Sequence, residues 1–150
     1  MLDREVIAEY AHSGENYLLS SFYNNMGMCF LEKGMPDSAL FYCNKSYQTD
    51  SVQGMRMNMG ANLMLMGDIH KMLNHKNEAD KFYMKALEIF RPDGNLDKQY
   101  WILESLEASA RKDNKLEYAL QMKDSMKVLS QKINSKQMNE TIELLNIRFE

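Results

Sequence analysis

Apolar residues recur along much of the chain at the spacing of an α-helix. The C-terminal third shows this best, with a stripe at intervals of four, three and four residues formed by Met122, Met126, Leu129 and Ile133. Because an α-helix turns once every 3.6 residues, these side chains share one face of a helix. The stripe slips at residues 134–136 and resumes with Met138, Ile142 and Leu145. This tract is therefore predicted to be a long helix with a bend at the slip.

Small and turn-forming residues repeat along the chain with a period of 40. The series are Gly27 and Gly67; Gly34, Asn74 and Asn114; Ala39, Ala79 and Ala119; and Ser46 and Ala86. Gly and Asn adopt the left-handed conformation most readily, so positions 34, 74 and 114 are predicted to end helices. The small residues on either side of the stops at 34 and 74 allow two antiparallel helices to approach closely. Each unit of 40 residues is therefore predicted to be a helical hairpin.

The composition favours helices over strands. The chain has 14 Met and many Leu but few Val and Thr and only 2 Pro, and long unbranched side chains prefer helices. We predict an all-α fold, with helices at about residues 3–12, 16–33, 36–49, 55–73, 76–90 and 96–112 and a helical tract from about 116 to 149. Asn95 is predicted to cap the helix that follows the turn at residues 91–94.

Charge and hydropathy exclude two kinds of partner. The net charge is −3, and a nucleic-acid binder needs clustered Lys and Arg to displace counterions. No stretch approaches the roughly 18 apolar residues of a membrane span. We therefore expect neither nucleic acid nor a membrane to be the partner of this part of the protein.

The order of large and small residues in each hairpin follows a family pattern. Repeat one reads Tyr23-x-x-Met26-Gly27-x-x-Phe30, then Gly34, Ala39, Cys43 and Ser46; repeat two reads Leu63-x-x-Met66-Gly67-x-x-His70, then Ala79, Tyr83 and Ala86. Repeat three, Leu103-x-x-Leu106-Glu107-x-x-Ala110 and then Ala119, Lys123 and Met126, keeps the framework but loses two small residues. These residues resemble the tetratricopeptide repeat (TPR) family, and the period of 40 resembles its long-repeat members. The resemblance implies a right-handed α-solenoid of hairpins with a long C-terminal helical tract.

The repeat register divides the chain into one domain of several parts. Residues 1–14 are predicted to be the tail of a truncated upstream repeat, 15–53 repeat one, 54–94 repeat two, 95–128 a degenerate repeat three, and 129–150 a C-terminal helix leading out. The chain is therefore expected to be a segment of a longer protein. Its end, from Ala119 onward, resembles the closing part of the repeat region in Bacteroides-type membrane-anchored regulators. That resemblance implies a bacterial parent with the repeats on the periplasmic side; the cytoplasm is the alternative.

No catalytic or metal motif is recognisable in the sequence. His70 and His75 are five residues apart with a helix stop between them, so we interpret His70 as a packed neutral imidazole with one hydrogen bond and His75 as a turn residue, with His12 also at the surface. Cys29 and Cys43 match neither a redox motif nor a zinc knuckle and are interpreted as small buried thiols. The many Met residues fit a deformable apolar surface better than a copper site. We predict no enzyme activity and no cofactor.

The family resemblance implies which residues would meet a ligand. In this family the first helix of each hairpin lines a concave groove, and the corresponding positions here are Asn24, Met28 and Leu31, then Met64, Asp68 and Lys71, then Trp101, Glu104 and Arg111. The family's chaperone-tail clamp has Lys and Asn where this chain has Asn24 and Met28, so that ligand is not expected. Three apolar residues, Met28, Met64 and Trp101, are predicted to anchor the ligand, while Asp68, Lys71 and Arg111 set its direction. The alternative for Trp101 is packing between repeats two and three.

These observations predict a non-catalytic module that binds a protein or peptide segment within a larger regulatory protein. The first alternative is a structural module that makes the parent protein a homodimer, through the N-terminal end or the stripe that includes Met126 and Leu129. The second alternative is a metal or thiol site built on the hairpins. Fold alone does not decide between them.

Overall fold

The computed structural model describes residues 16–147, and within this range the chain forms six α-helices and no strand. The helices are α1 (Asn16–Glu32), α2 (Pro36–Gln53), α3 (Arg56–Met72), α4 (Lys76–Phe90), α5 (Leu96–Lys112) and α6 (Leu116–Ile147). The predicted all-α fold is confirmed, and the observed bounds agree with the predicted ones to within a few residues. The predicted helix at 3–12, with His12, lies outside the described residues.

The helix stops predicted from the period of 40 are confirmed. Gly34, Asn74 and Asn114 have φ angles of 69°, 58° and 57°, all in the left-handed region. Each stop carries the same cap, in which the next backbone N–H donates to the carbonyl oxygen five residues earlier; the three pairs are Met35 to Phe30, His75 to His70 and Lys115 to Ala110. This hydrogen bond satisfies a carbonyl that the end of the helix would leave unpaired. The same local chemistry therefore ends α1, α3 and α5.

The start of α5 also forms as predicted. Asn95 precedes α5, and its side-chain oxygen accepts a hydrogen bond from the backbone N–H of Lys98 at 3.1 Å. The turn before it ends in Gly94, whose φ angle of 66° suits a residue without Cβ. A side-chain acceptor at this position satisfies one of the N–H groups that the first turn of a helix leaves unpaired.

The described residues form two compact units, one ending at Ile89 and one beginning at Phe90. In the first unit α1 packs against α2, and α3 packs against both. Close approach depends on Gly27: a Cβ atom there would lie 3.4 Å from the carbonyl oxygen of Ala39 and 3.2 Å from Cδ2 of Leu65. The predicted contact between the small residues of α1 and α2 is therefore present. The core of this unit includes fully buried Ala39, Cys43 and Ile69.

In the second unit α5 packs against α6, with Ile102 and Leu106 in its core. The helix α6 continues through residues 134–136 without interruption. Leu129 is buried, whereas Met138, which follows the slip in the apolar stripe, is 63% exposed. The first part of the stripe thus stabilises this unit, and the second part faces solvent. None of the six helices is long and apolar enough to span a membrane.

Candidate functional site

The predicted groove positions of α1 differ in exposure and partners. The Asn24 side chain is half-buried, and its Nδ2 donates a hydrogen bond to Oδ1 of Asn62 at 2.9 Å. Met28 is 42% exposed, and Leu31 is half-buried. The turn of α1 at Asn24 therefore presents a polar group held by a hydrogen bond, and the next turn presents an apolar surface to a partner.

The predicted groove positions of α3 lie on a helix that is mostly buried. Met64 is only 9% exposed and so offers little surface to a partner. Asp68 accepts a hydrogen bond from the Tyr83 hydroxyl of α4 at 2.8 Å. Burial raises the pKa of Asp68, and the Tyr83 hydrogen bond and the charge of Lys71 oppose this rise. Lys71 itself is exposed. Of these three residues, Lys71 has the greatest freedom to contact a ligand.

The remaining predicted positions belong to α5, in the second unit. Trp101 is half-buried and Glu104 is exposed. Arg111 is exposed, and its guanidinium donates to the buried carboxylate of Glu107. The Nζ atom of Lys123 lies 3.8 Å from the same carboxylate. Glu107 stands where the family pattern has a small residue. The cations of Arg111 and Lys123 stabilise its negative charge.

A polar network inside the first unit was not foreseen from the sequence. Asp50, at the end of α2, is fully buried and accepts hydrogen bonds from the Ser20 hydroxyl, from Nδ2 of Asn62 at 2.7 Å and from Nδ2 of Asn58 at 3.2 Å. The Ser46 hydroxyl donates to the backbone oxygen of Ser20 at 2.9 Å. Side chains from α1, α2 and α3 therefore meet around one carboxylate, and its donors are all neutral.

A small pocket opens beside this network. It has a volume of about 150 Å³ and is lined by Ser20, Ser21, Asn24, Asn25, Ser46, Asp50, Asn58, Ala61 and Asn62. Every one of these residues except Ala61 is polar, and none is basic. Asn24 is one of the predicted groove positions, and Ser21 and Ala61 lie three residues before the predicted positions Asn24 and Met64 on the same helices. The pocket is thus a polar part of the predicted binding face.

The environments of His70 and His75 agree only in part with the predictions from the sequence. His70 stacks on Phe82, with ring centroids 5.1 Å apart, and its buried Nδ1 has no hydrogen-bond partner among the described residues, so the predicted single hydrogen bond is absent there. Burial, followed by the nearby His75, lowers the pKa of His70, which agrees with a packed neutral ring. His75 is exposed at its turn, as predicted.

The two cysteines differ in environment, and the prediction of two buried thiols is wrong for one of them. Cys43 is fully buried and donates to the backbone oxygen of Asn62 at 3.2 Å. Burial raises the pKa of its thiol to about 12, so the thiolate that nucleophilic chemistry needs is strongly disfavoured. Cys29 is exposed. Among residues 16–147 no three His, Cys, Asp or Glu residues are grouped as metal ligands.

The described residues define a helical-repeat protein built from antiparallel hairpins. The sequence model of the tetratricopeptide repeat family matches residues 61–93, which cover most of α3 and all of α4, and this match supports assignment to that family. No curated protein matches the chain. Tetratricopeptide repeats generally mediate protein–protein interaction, because their stacked hairpins leave a long face open to a partner.

Proposed function

We propose that this chain is a non-catalytic interaction module that binds a segment of a partner protein along the faces of α1 and α3. The observation that carries the proposal is the exposure of groove positions on helices whose opposite sides are buried. Met28 and Lys71 are exposed, while Tyr23 and Ile69 on the same helices are in the core. A surface of this kind is fixed by the fold and available to a ligand.

The chemistry of this surface suits an extended or helical segment with both apolar and charged side chains. Met28 and Leu31 supply apolar area, and an unbranched Met side chain adapts to partners of different shape. Asp68 and Lys71 are opposite charges within one turn of α3, which favours one direction of the ligand. Met64 is 9% exposed and adds little apolar area to this surface. Affinity comes from several moderate contacts.

The proposal extends to the third repeat and to the parent protein. Within the second unit, Trp101, Glu104 and Arg111 of α5 occupy the corresponding positions and would offer a partner an aromatic side chain and two charges. The parent would be a bacterial membrane-anchored regulator, with these repeats as its sensing or scaffolding part on the periplasmic side. No cofactor takes part in this function.

A capture experiment tests the groove. The immobilised chain is incubated with lysate of the organism that encodes it, beside a Met28→Glu, Lys71→Glu variant, and bound proteins are quantified by mass spectrometry. We expect a partner held by the wild type to be reduced about tenfold or more by the variant, since it places charge on the apolar contact and reverses the cation.

The matched control is a Phe41→Glu, Lys81→Glu variant. It introduces the same changes in charge at exposed positions of α2 and α4, which are the second helices of the hairpins. Both variants are first compared with the wild type by circular dichroism. If the control loses the partner and the groove variant keeps it, the surface is assigned to the wrong helices.

Self-association through α6 is the second candidate function. Met138, Ile142 and Leu145 are spaced by four and three residues on one face of α6, and all three are exposed. An apolar stripe of this kind is typical of a helix that pairs with a second helix. Leu129, in the earlier part of the stripe, is 8% exposed and stabilises the second unit, so a dimer would use the later part.

Sedimentation velocity over a range of concentrations tests this candidate. A dimer that becomes a monomer in a Met138→Ser, Ile142→Ser variant would support it, because these exposed side chains are dispensable for the fold. A Val52→Ser variant, at another exposed apolar position, is the control. A monomer at every concentration would rule out the dimer and agree with the groove proposal.

A further inference from the structure

The carboxylate of Asp50 is a buried charge that has no counterion among residues 16–147. No Lys, Arg or His of the described residues forms an ion pair with it, and its three hydrogen-bond donors are a hydroxyl and two amides. Hydrogen bonds stabilise the carboxylate, but neutral donors leave its charge uncompensated. The interior of the first unit therefore carries a localised negative potential beside the pocket.

This carboxylate determines how the amides around it are oriented. An ionised carboxylate only accepts hydrogen bonds, so Asn58 and Asn62 must turn their NH₂ groups toward it. Oδ1 of Asn62 in turn accepts from Nδ2 of Asn24. The NH₂ groups of Asn24 and Asn58 consequently point into the network, and their Oδ1 atoms remain to accept hydrogen bonds from outside it.

The pocket therefore presents acceptors above a buried negative charge. Asn58 and Ser21 are exposed at its rim, and Asn24 and Ala61 are half-buried. Because the side chains lining it include no base, an anion entering it would meet repulsion and no compensating cation. A volume of about 150 Å³ accommodates a group the size of an ammonium or guanidinium, since one water occupies about 30 Å³ in the liquid.

We propose that this pocket binds the ammonium or guanidinium group of a lysine or arginine side chain in the partner segment. The cation donates hydrogen bonds to Oδ1 of Asn24 and Asn58 and compensates the charge of Asp50 without touching it. The inference rests on the proposed function, because it assigns one side chain of the ligand to one place on the α1 and α3 face. The partner segment is therefore basic at that position.

The test uses single-residue probes and needs no partner. Nα-acetyl-lysine methylamide is titrated into the ¹⁵N-labelled 150-residue chain, and the side-chain NH₂ signals of Asn24, Asn58 and Asn62 are followed by NMR. We expect saturable shifts of these signals with the lysine probe and none with Nα-acetyl-norleucine methylamide, which keeps the stem and lacks the charge. Equal shifts with both probes, or no shift with either, would overturn the proposal.

Two variants measure separately how the charge of Asp50 and the acceptor of Asn58 at the rim contribute to binding. Asp50→Asn is expected to weaken the lysine probe about tenfold, because it removes the charge that attracts the cation. Asn58 is exposed, so Asn58→Ala leaves Asp50 in place. This variant is expected to weaken binding of the probe about fivefold by removing one acceptor. Asn44→Ala, an exposed asparagine of α2 outside the pocket, should change nothing. If Asn58→Ala binds as the wild type does, the pocket is not the binding site.

Methylammonium distinguishes a partner side chain from a free amine. The lysine probe should bind more tightly because its stem contacts Ala61 at the rim, whereas equal affinity would assign the pocket to small free amines and overturn the proposal.

Failure of the pocket proposal is distinguishable from failure of the groove proposal. A partner captured through Met28 and Lys71, together with no response to the lysine probe, refutes the pocket alone; a probe response without any captured partner refutes the groove alone.

Discussion

Replacing Gly67 with alanine is expected to lower the free energy of unfolding by about 2 kcal/mol. A Cβ atom at this position would lie 2.6 Å from Cδ1 and 2.9 Å from Cζ of Tyr83. The Tyr83 ring is 1% exposed and its hydroxyl is bonded to Asp68, so it has no space to move into. Overpacking of this kind costs about 3 kcal/mol, and the helix propensity of alanine returns about 1 kcal/mol. Chemical denaturation followed by circular dichroism measures the difference.

The matched control is the same substitution one repeat earlier. At Gly27 the added Cβ would lie 3.2 Å from Cδ2 of Leu65, the end of a flexible side chain, and 3.4 Å from a carbonyl oxygen. Small adjustments relieve these contacts, and the gain in helix propensity offsets them, so Gly27→Ala is expected to change stability by less than about 0.5 kcal/mol. Equal effects at the two positions would contradict the packing described for α3 and α4.

The second large effect is expected at Asp50. Asp50→Ala should lower the free energy of unfolding by about 3 kcal/mol, since it removes the common acceptor of Ser20, Asn58 and Asn62 and leaves buried donors unpaired. The substitution also removes a buried, desolvated charge, and this change alone would raise the free energy of unfolding. Three hydrogen bonds to a charged group, each worth about 1.5–3 kcal/mol, outweigh that gain. The same denaturation experiment measures this change.

Two controls accompany the Asp50→Ala variant. Asp50→Asn keeps the shape and one acceptor, so its loss should be about half as large. Glu88→Ala removes an exposed carboxylate from α4 and should leave stability unchanged. A stable Asp50→Ala protein would show that desolvation of the charge dominates, and the polar network would then have no role in holding α1, α2 and α3 together.

The ends of the helices could be predicted because they depend on local chemistry. Gly34, Asn74 and Asn114 are at a spacing of 40, and each is in the left-handed conformation that ends a helix. Asn95 caps α5 with its own side chain. These features need only a few neighbouring residues in the chain, so one sequence is enough to locate them.

The polar network could not be predicted because its members come from three helices. Ser20, Asp50 and Asn62 are 30 and 12 residues apart and occupy no fixed positions of the family pattern. Only the packing of α1, α2 and α3 brings them together. A buried aspartate near the end of a helix looks, in a sequence, like an ordinary solvated residue. The one available signal was the number of asparagines on α1 and α3.

The sequence assigned the candidate groove to α1, α3 and α5 but did not predict the exposure of its residues. Periodicity assigns a residue to one face of a helix, but the width of the buried part of that face depends on its neighbours. Met28 and Met64 hold neighbouring positions of the pattern in successive repeats, and one is 42% exposed while the other is 9% exposed. The apolar stripe of α6 shows the same limit, since Leu129 is buried and Met138 is not.

The most direct test of the central proposal is a ¹³C-methyl spectrum of the methionines with and without the captured partner. The 14 methionines report on both candidate surfaces, and single substitutions assign their signals. Binding along α1 and α3 predicts that the methyl signal of Met28 shifts or broadens as partner is added, while that of Met138 stays unchanged. A shift of the Met138 signal with no change at Met28 would contradict the groove and direct attention to α6.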